Sequence, residues 1–128
     1  MESSAARSLG LAHESFHESF SSDEVMSWFA LRLNRYPDAS DLYSVSKEFY
    51  HIGEYKKAAT ALEIYTSLPG AQLPGVHLLG YAHYMSGDLE KSLRTFCKCV
   101  NDGYDADWQL IVEIQLELEA KSGGEAKA

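Results

Sequence analysis

Two segments of the chain carry the same pattern of apolar and polar positions, one beginning at Asp41 and the other at Gly75. Each pivots on a glycine, Gly53 or Gly87, and the two glycines are 34 residues apart. At about 100° per residue, the positions 11, 8, 7 and 4 residues before each glycine share one face of a helix. They are Leu42, Val45, Ser46 and Phe49 in one copy, and Val76, Leu79, Gly80 and His83 in the other.

A facing stripe follows each glycine, at the positions 2, 5, 9 and 12 residues after it. Small residues at the second of these positions, Ala58 and Ser92, allow two helices to approach closely. Each copy is therefore predicted to be a hairpin of two helices. The stripe residues are Tyr55, Ala58, Leu62 and Tyr65, then Leu89, Ser92, Phe96 and Cys99.

The 34-residue period resembles the tetratricopeptide repeat family, in which helical hairpins stack into a solenoid. Gly80 matches the glycine of the family's Leu-Gly pair, and Pro69 matches its closing proline. The chain departs from the family pattern at Ser46, which stands at the glycine position, and at His83, which stands at an aromatic position. The second copy ends without proline, at 101–103.

The flanking segments fit the same frame. Ser21 and Glu24 form a capping box before a helix with apolar Val25, Trp28, Phe29 and Leu33, ended by Pro37. Asp105 is predicted to cap a last helix whose apolar face is Trp108, Ile111, Val112 and Leu118. The fold class is all-α, a short solenoid of about seven antiparallel helices in a single domain, 1–121. It divides into a degenerate repeat 5–37, repeats 39–70 and 73–104, a capping helix 105–121 and a disordered tail 122–128.

The first predicted helix contains HESFHESF, which opens with the zinc-protease pattern HExxH at His13, Glu14 and His17. A zinc hydrolase needs a third ligand, and the extended form of the motif is absent. Leu9, Ala12, Phe16 and Phe20 lie on one helical stripe, which is predicted to pack against Trp28 and Phe29. We therefore predict a packing helix, with no catalytic residue, metal or cofactor. A zinc hydrolase and metal binding by the surface histidines remain alternatives.

The formal charge of −8, from 11 basic and 19 acidic residues, excludes nucleic acid and anionic membranes as expected partners. No apolar run approaches the roughly 20 residues that span a bilayer, and no apolar signal core is present. We expect a cytoplasmic or nuclear protein. Cys97 and Cys99 are expected to be free thiols, because residues two apart on a helix point to different sides.

A second stripe on the first helices is aromatic and lies roughly 100° from the packing stripe. It comprises Tyr43, Lys47 and Tyr50 in one copy, and His77, Tyr81 and Tyr84 in the other. Stacked repeats would pair Tyr43 with His77, Lys47 with Tyr81, and Tyr50 with Tyr84. Similarity to the family implies that this face binds a peptide or helix of a partner. The alternative is that the tyrosines fill the gap between stacked helices.

The function expected from this resemblance is that of a protein-binding adaptor or scaffold, not an enzyme. With Lys47 as its only basic residue, the stripe does not fit repeat proteins that clamp the C-terminal carboxylate of heat-shock chaperones. The chain is similar to small chaperones of type III secretion and to N-terminal repeats of anaphase-promoting complex subunits, and more distantly to mitochondrial fission adaptors. Because two full repeats are close to the minimum for a stable array, homodimerisation or obligate partner binding is a further expectation.

Overall fold

The computed structural model describes residues 20–127. This part of the chain contains six helices and no strand, which confirms the all-α prediction. The helix predicted over HESFHESF, and its packing against Trp28 and Phe29, lie almost wholly outside the described residues. The helices are α1 (Ser22–Leu33), α2 (Ala39–His51), α3 (Tyr55–Thr66), α4 (Leu73–Met85), α5 (Leu89–Asn101) and α6 (Trp108–Lys127).

Side chains at the starts of α1 and α2 satisfy backbone groups that a helix leaves without partners. The backbone N–H of Glu24 donates to Ser21 Oγ at 3.2 Å, and the N–H of Ser21 donates to Glu24 Oε1 at 3.1 Å. This is the predicted capping box. Asp38 and Asp41 form a second box at the start of α2.

The same turn closes α2, α4 and α5. In each case a glycine with positive φ follows the cap residue, and the next N–H reaches back to a carbonyl of the last helical turn. At Gly53, for example, φ is 86° and the N–H of Glu54 donates to the carbonyl of Phe49 at 2.9 Å. This is the Schellman motif, which satisfies carbonyls at a helix end. It recurs at Gly87 and Gly103.

The two predicted repeats occupy the expected register. Helices α2 and α4 each have 13 residues, and their first residues are 34 positions apart. The first residues of α3 and α5 are also 34 positions apart. All eight residues of the predicted packing stripes on α2 and α4 are buried. On α3 and α5 every facing residue is buried except Tyr55, which is half-buried. Helices that are neighbours in sequence, from α2 to α6, pack against one another.

The close contact between α4 and α5 depends on Gly80. A Cβ at this position would lie 2.7 Å from Phe96 Cε1, and the Phe96 ring is fully buried. Ser92 on α5 strengthens the contact, because its hydroxyl donates to the carbonyl of Gly80 at 2.8 Å. In the first repeat the equivalent pair is Ser46 and Leu62, both also buried. Where serine replaces glycine on the first helix of a hairpin, leucine replaces the larger phenylalanine on the second.

A charged contact joins the segment after α1 to α2. Both guanidinium nitrogens of Arg35 donate to the Asp41 carboxylate, at 2.6 and 2.7 Å. Asp41 is almost fully buried and also accepts the backbone N–H of Asp38 at 2.9 Å. Paired, bidentate geometry of this kind is among the stronger side-chain interactions in proteins.

Helix α6 differs from the predicted capping helix in three respects. It begins at Trp108, and the carboxylate that accepts an N–H of its first turn, that of Leu110, belongs to Asp107 and not to Asp105. It continues to Lys127, through 122–127, which were predicted to be disordered. Its buried residues are Ile111 and Ile114, with Leu118 half-buried, whereas Trp108 and Val112 are exposed. The contact with α5 selects one of two apolar faces, so the predicted burial of Trp108 and Val112 is wrong.

We predict that Gly80→Ala destabilises the fold. Alanine gains about 1 kcal/mol in helix propensity over glycine, but forcing a methyl group into the buried Phe96 ring costs about 1–3 kcal/mol. The net effect is expected to be a loss of unfolding free energy, measured by urea denaturation. Ser46→Ala is the matched control at the equivalent position of the first repeat, and we expect it to cost less. Equal or greater stability of Gly80→Ala would contradict the close contact.

Candidate functional site

The six residues of the aromatic stripe lie on α2 and α4, in two matched sets. All four tyrosines and His77 are half-buried, and only Lys47 is exposed. Tyr43 and Tyr50 pack at the edge of the core formed by α1 to α4, and Tyr81 and Tyr84 pack against the apolar cluster of α5 and α6. Partner binding and gap filling between helices are both compatible with this burial, because each tyrosine ring is partly packed and partly accessible.

On α4 the stripe is the centre of an aromatic cluster. The ring of His77 lies 4.9 Å from Tyr81, 5.4 Å from Phe96 and 5.0 Å from Tyr104, measured between centroids. Tyr81 also contacts Phe96 edge to face at 5.2 Å. The Tyr81 hydroxyl donates to Asp107 Oδ2 at 3.3 Å, which ties α4 to the residue just before α6. Edge-to-face packing of this kind is favourable because the ring edge is positive and the ring face negative.

His77 carries an unsatisfied polar atom in this cluster. Its Nε2 is buried and has no hydrogen-bond partner. Burial lowers the pKa of His77 because the surrounding rings cannot solvate an imidazolium, and the negative charge of Asp107 opposes the shift. We infer that the neutral imidazole acts as an aromatic packing residue near neutral pH.

On α2 the stripe is more open. Tyr43 packs against Tyr65 of α3 with ring centroids 5.7 Å apart, and Tyr50 packs edge to face on Tyr55 at 5.2 Å. The ammonium of Lys47 lies over the Tyr43 ring, 4.7 Å from its centroid, within the range of a cation–π interaction. Burial raises the pKa of Tyr43 and Tyr50, so both hydroxyls remain protonated hydrogen-bond donors at neutral pH.

Within residues 20–127, ring contacts do not join the pairs predicted across the two repeats. Among the described residues, no ring contact joins Tyr43 to His77 or Tyr50 to Tyr84. Tyr50 lies within electrostatic range of Tyr81, and Tyr43 lies within that range of Tyr104. Tyr104 is in ring contact with His77, and its electrostatic effect extends to Tyr43.

Sequence reasoning missed Tyr104 and Asp107 as members of this surface. A signal for Tyr104 was present, since Gly103 repeats the glycine turns at Gly53 and Gly87 and fixes the residue that follows it. Asp107 precedes α6 by one residue, and its role in capping that helix places its carboxylate beside Tyr81.

A concave region elsewhere on the surface is polar. It is a cleft of about 680 Å³ between α3, the turn from α4 to α5, and the later part of α6. Within it His83 Nε2 lies 3.3 Å from Glu63 Oε1, a contact that becomes an ion pair only when the imidazole is protonated. Burial lowers the pKa of His83, and Glu63 opposes this shift. The charges of the lining nearly cancel, with Lys56, Lys57, Lys91 and Lys121 against Glu63, Asp88 and Glu90.

Other candidate chemistry is limited in the described part of the chain. The HExxH histidines, His13 and His17, lie outside it. Residues 20–127 contain no group of three or more His, Cys, Asp or Glu arranged to hold a metal ion. Cys97 is exposed and Cys99 is buried, and both thiols are free, as predicted. Among the same residues, no helix has the length and apolarity that a membrane crossing requires.

Comparison of the chain with protein-family models, with curated proteins and with solved structures finds no match. The resemblance to tetratricopeptide repeats therefore rests on the 34-residue period of the sequence.

We predict that His77→Phe reduces the dependence of stability on pH. The folded-state pKa of His77 lies below its unfolded value of about 6.5, so the unfolded chain takes up the proton first as the pH falls. Wild-type stability should therefore decrease as the pH falls below about 6.5. His83 contributes with the same sign, so the dependence should diminish in His77→Phe without disappearing. Urea denaturation at about pH 7.5 and about pH 5.5 measures the unfolding free energy at each pH. An equal change between the two pH values in the wild type and in His77→Phe would contradict the inference.

Proposed function

We propose that this protein is an adaptor that binds a peptide or helix of a partner protein on the aromatic surface of α2 and α4. The observation that supports the proposal is the set of four half-buried tyrosines on the same face of α2 and α4, of which Tyr50 and Tyr84 occupy equivalent positions. Tyrosine offers a broad apolar ring with a polar tip, and it loses little conformational entropy on binding. A surface of this composition is typical of protein interfaces.

The local contacts describe the partner side chains that this surface would accept. The rings of Tyr50 and Tyr84 remain partly accessible and provide apolar area, and the protonated hydroxyl of Tyr50 can donate to a partner carbonyl. Lys47 supplies one exposed cation beside Tyr43. This combination fits a segment whose large apolar side chains alternate with backbone or side-chain acceptors. One cation is too few for a clamp that selects a terminal carboxylate.

The aromatic cluster on α4 would act as a rigid support for such a surface. His77 contacts Tyr81, Phe96 and Tyr104, Tyr81 also contacts Phe96, and the Tyr81 hydroxyl donates to Asp107. A surface that is already ordered loses less entropy when it binds. The competing role of these rings is to fill the gap between helices. Truncation of an accessible tyrosine should reduce partner binding in the first case and leave it unchanged in the second.

We predict that Tyr84→Ala weakens partner capture by about tenfold or more, which corresponds to about 1.4 kcal/mol and is typical of an interface tyrosine. Tyr84 is the appropriate position because, among the described residues, its ring contacts no other aromatic ring. Affinity purification from cell extract with quantitative mass spectrometry would compare the wild type, Tyr84→Ala and a control, Tyr36→Ala. Tyr36 is 69% exposed, lies in the segment between α1 and α2, and is not a member of the stripe.

The variants are compared only where circular dichroism shows equal helicity and similar melting temperatures. Proteins captured by the wild type and by Tyr36→Ala, but lost from Tyr84→Ala, would support the proposal. Identical capture by all three proteins would show that the tyrosine only fills space.

A further inference from the structure

Helix α6 occupies the place of a first helix in a third hairpin. It begins 35 residues after α4, which begins 34 residues after α2. Its inward-facing residues follow the same register, since Ile111, Ile114 and Leu118 come 35 residues after Val76, Leu79 and His83. The face of α6 that packs on α5 is therefore the face that α4 turns towards its neighbours.

In α2 and α4, the first helices of the two hairpins, residues on the face next to the packing stripe contact the second helix of the same hairpin. His77 and Tyr81 of α4 contact Phe96 of α5, and Tyr43 of α2 contacts Tyr65 of α3. Adding 35 to His77 and Tyr81 gives Val112 and Leu116. No helix follows α6 among the described residues, so nothing there makes the equivalent contact with these two side chains.

Val112 and Leu116 are correspondingly exposed, at 48% and 60% of their surface. Trp108, one turn earlier, is 57% exposed. At a spacing of four residues, the three side chains form one line about 12 Å long. The other large exposed apolar side chains of the described residues are dispersed over α1, the segment after it, and the ends of α2 and α4. A contiguous exposed stripe of this kind marks an interaction surface.

The charges beside the stripe select its partner. Exposed Glu113 and Glu117 lie along one side of the stripe, and Glu119 lies near its end. Over 108–121, Lys121 is the only basic residue. A second copy of α6 would bring carboxylates against carboxylates, which disfavours pairing with itself. A helix that carries Lys or Arg beside its apolar residues would instead be attracted.

We propose that α6 binds one helix of a protein partner, and that this helix takes the place of the second helix of a hairpin. The partner helix is amphipathic, with an apolar stripe that covers Trp108, Val112 and Leu116 and basic residues opposite Glu113 and Glu117. This surface lies on a different helix from the aromatic stripe of α2 and α4. The two proposals can therefore fail separately.

The test uses the full chain and a synthetic helical peptide of Leu and Lys, about 18 residues or five turns long, with all Leu on one face. Calorimetry is expected to show one peptide per chain with a dissociation constant below about 100 μM. The emission of Trp108 should shift to the blue as the peptide covers the ring. A peptide of the same composition with scrambled order, and one with Glu in place of every Lys, should each bind at least about tenfold more weakly.

Val112→Asp separates apolar docking from simple charge attraction. The substitution removes an apolar contact but adds a negative charge, so a purely electrostatic complex with the basic peptide would become tighter. We expect affinity to fall by about tenfold or more. Met85→Asp is the matched control, because Met85 is 45% exposed at the end of α4 and the substitution adds the same charge. It should not weaken binding.

Four results would overturn the proposal: no saturable binding of the Leu and Lys peptide, equal binding of either comparison peptide, undiminished affinity in Val112→Asp, or equal loss in Met85→Asp. A dimer in sedimentation velocity that dissociates in Val112→Asp would assign the stripe to a second copy of the chain. That result would also overturn the basic-helix partner.

Discussion

The glycine turn that ends α2, α4 and α5 is the constraint from which the rest of the fold follows. At Gly53 and Gly87 a Cβ would meet nothing within 4 Å, yet φ is close to 90°. These positions therefore require glycine for its backbone conformation and not for space. Each turn reverses the chain within a few residues and begins the next helix in a fixed orientation. The apolar stripes on either side of Gly53 and Gly87 face each other for this reason.

Glycine has a second use in the same repeats, and the two uses explain how far the fold could be predicted. Gly80 is required for close approach to Phe96, whereas the first repeat places Ser46 with the smaller Leu62. Helical periodicity was sufficient to predict the packing stripes of α2 to α5, because nearly every residue of those stripes is buried between neighbouring helices. It was insufficient for α6, whose sequence offers two apolar faces. Burial of Ile114, and exposure of Trp108, depend on which face meets α5.

The candidate surface was predictable as a pattern but not as a set of contacts. The matched positions on α2 and α4 follow from the period, and the structure places all six residues on the helices expected. Their neighbours depend on side chains from outside the repeat pattern, above all Tyr104, which contacts His77, and Asp107, which accepts from Tyr81. Such contacts are set by the path of the segment between α5 and α6, for which the periodic pattern carries no information.

The carboxylate of Asp41 performs two structural tasks at once. It completes the capping box at the start of α2 and holds the guanidinium of Arg35 from the segment after α1. Fraying of the first turn of α2 would therefore release Arg35, and displacement of Arg35 would weaken the start of α2. The Arg35–Asp41 contact therefore ties the segment after α1 to the start of α2. We expect these two segments to be coupled in local unfolding.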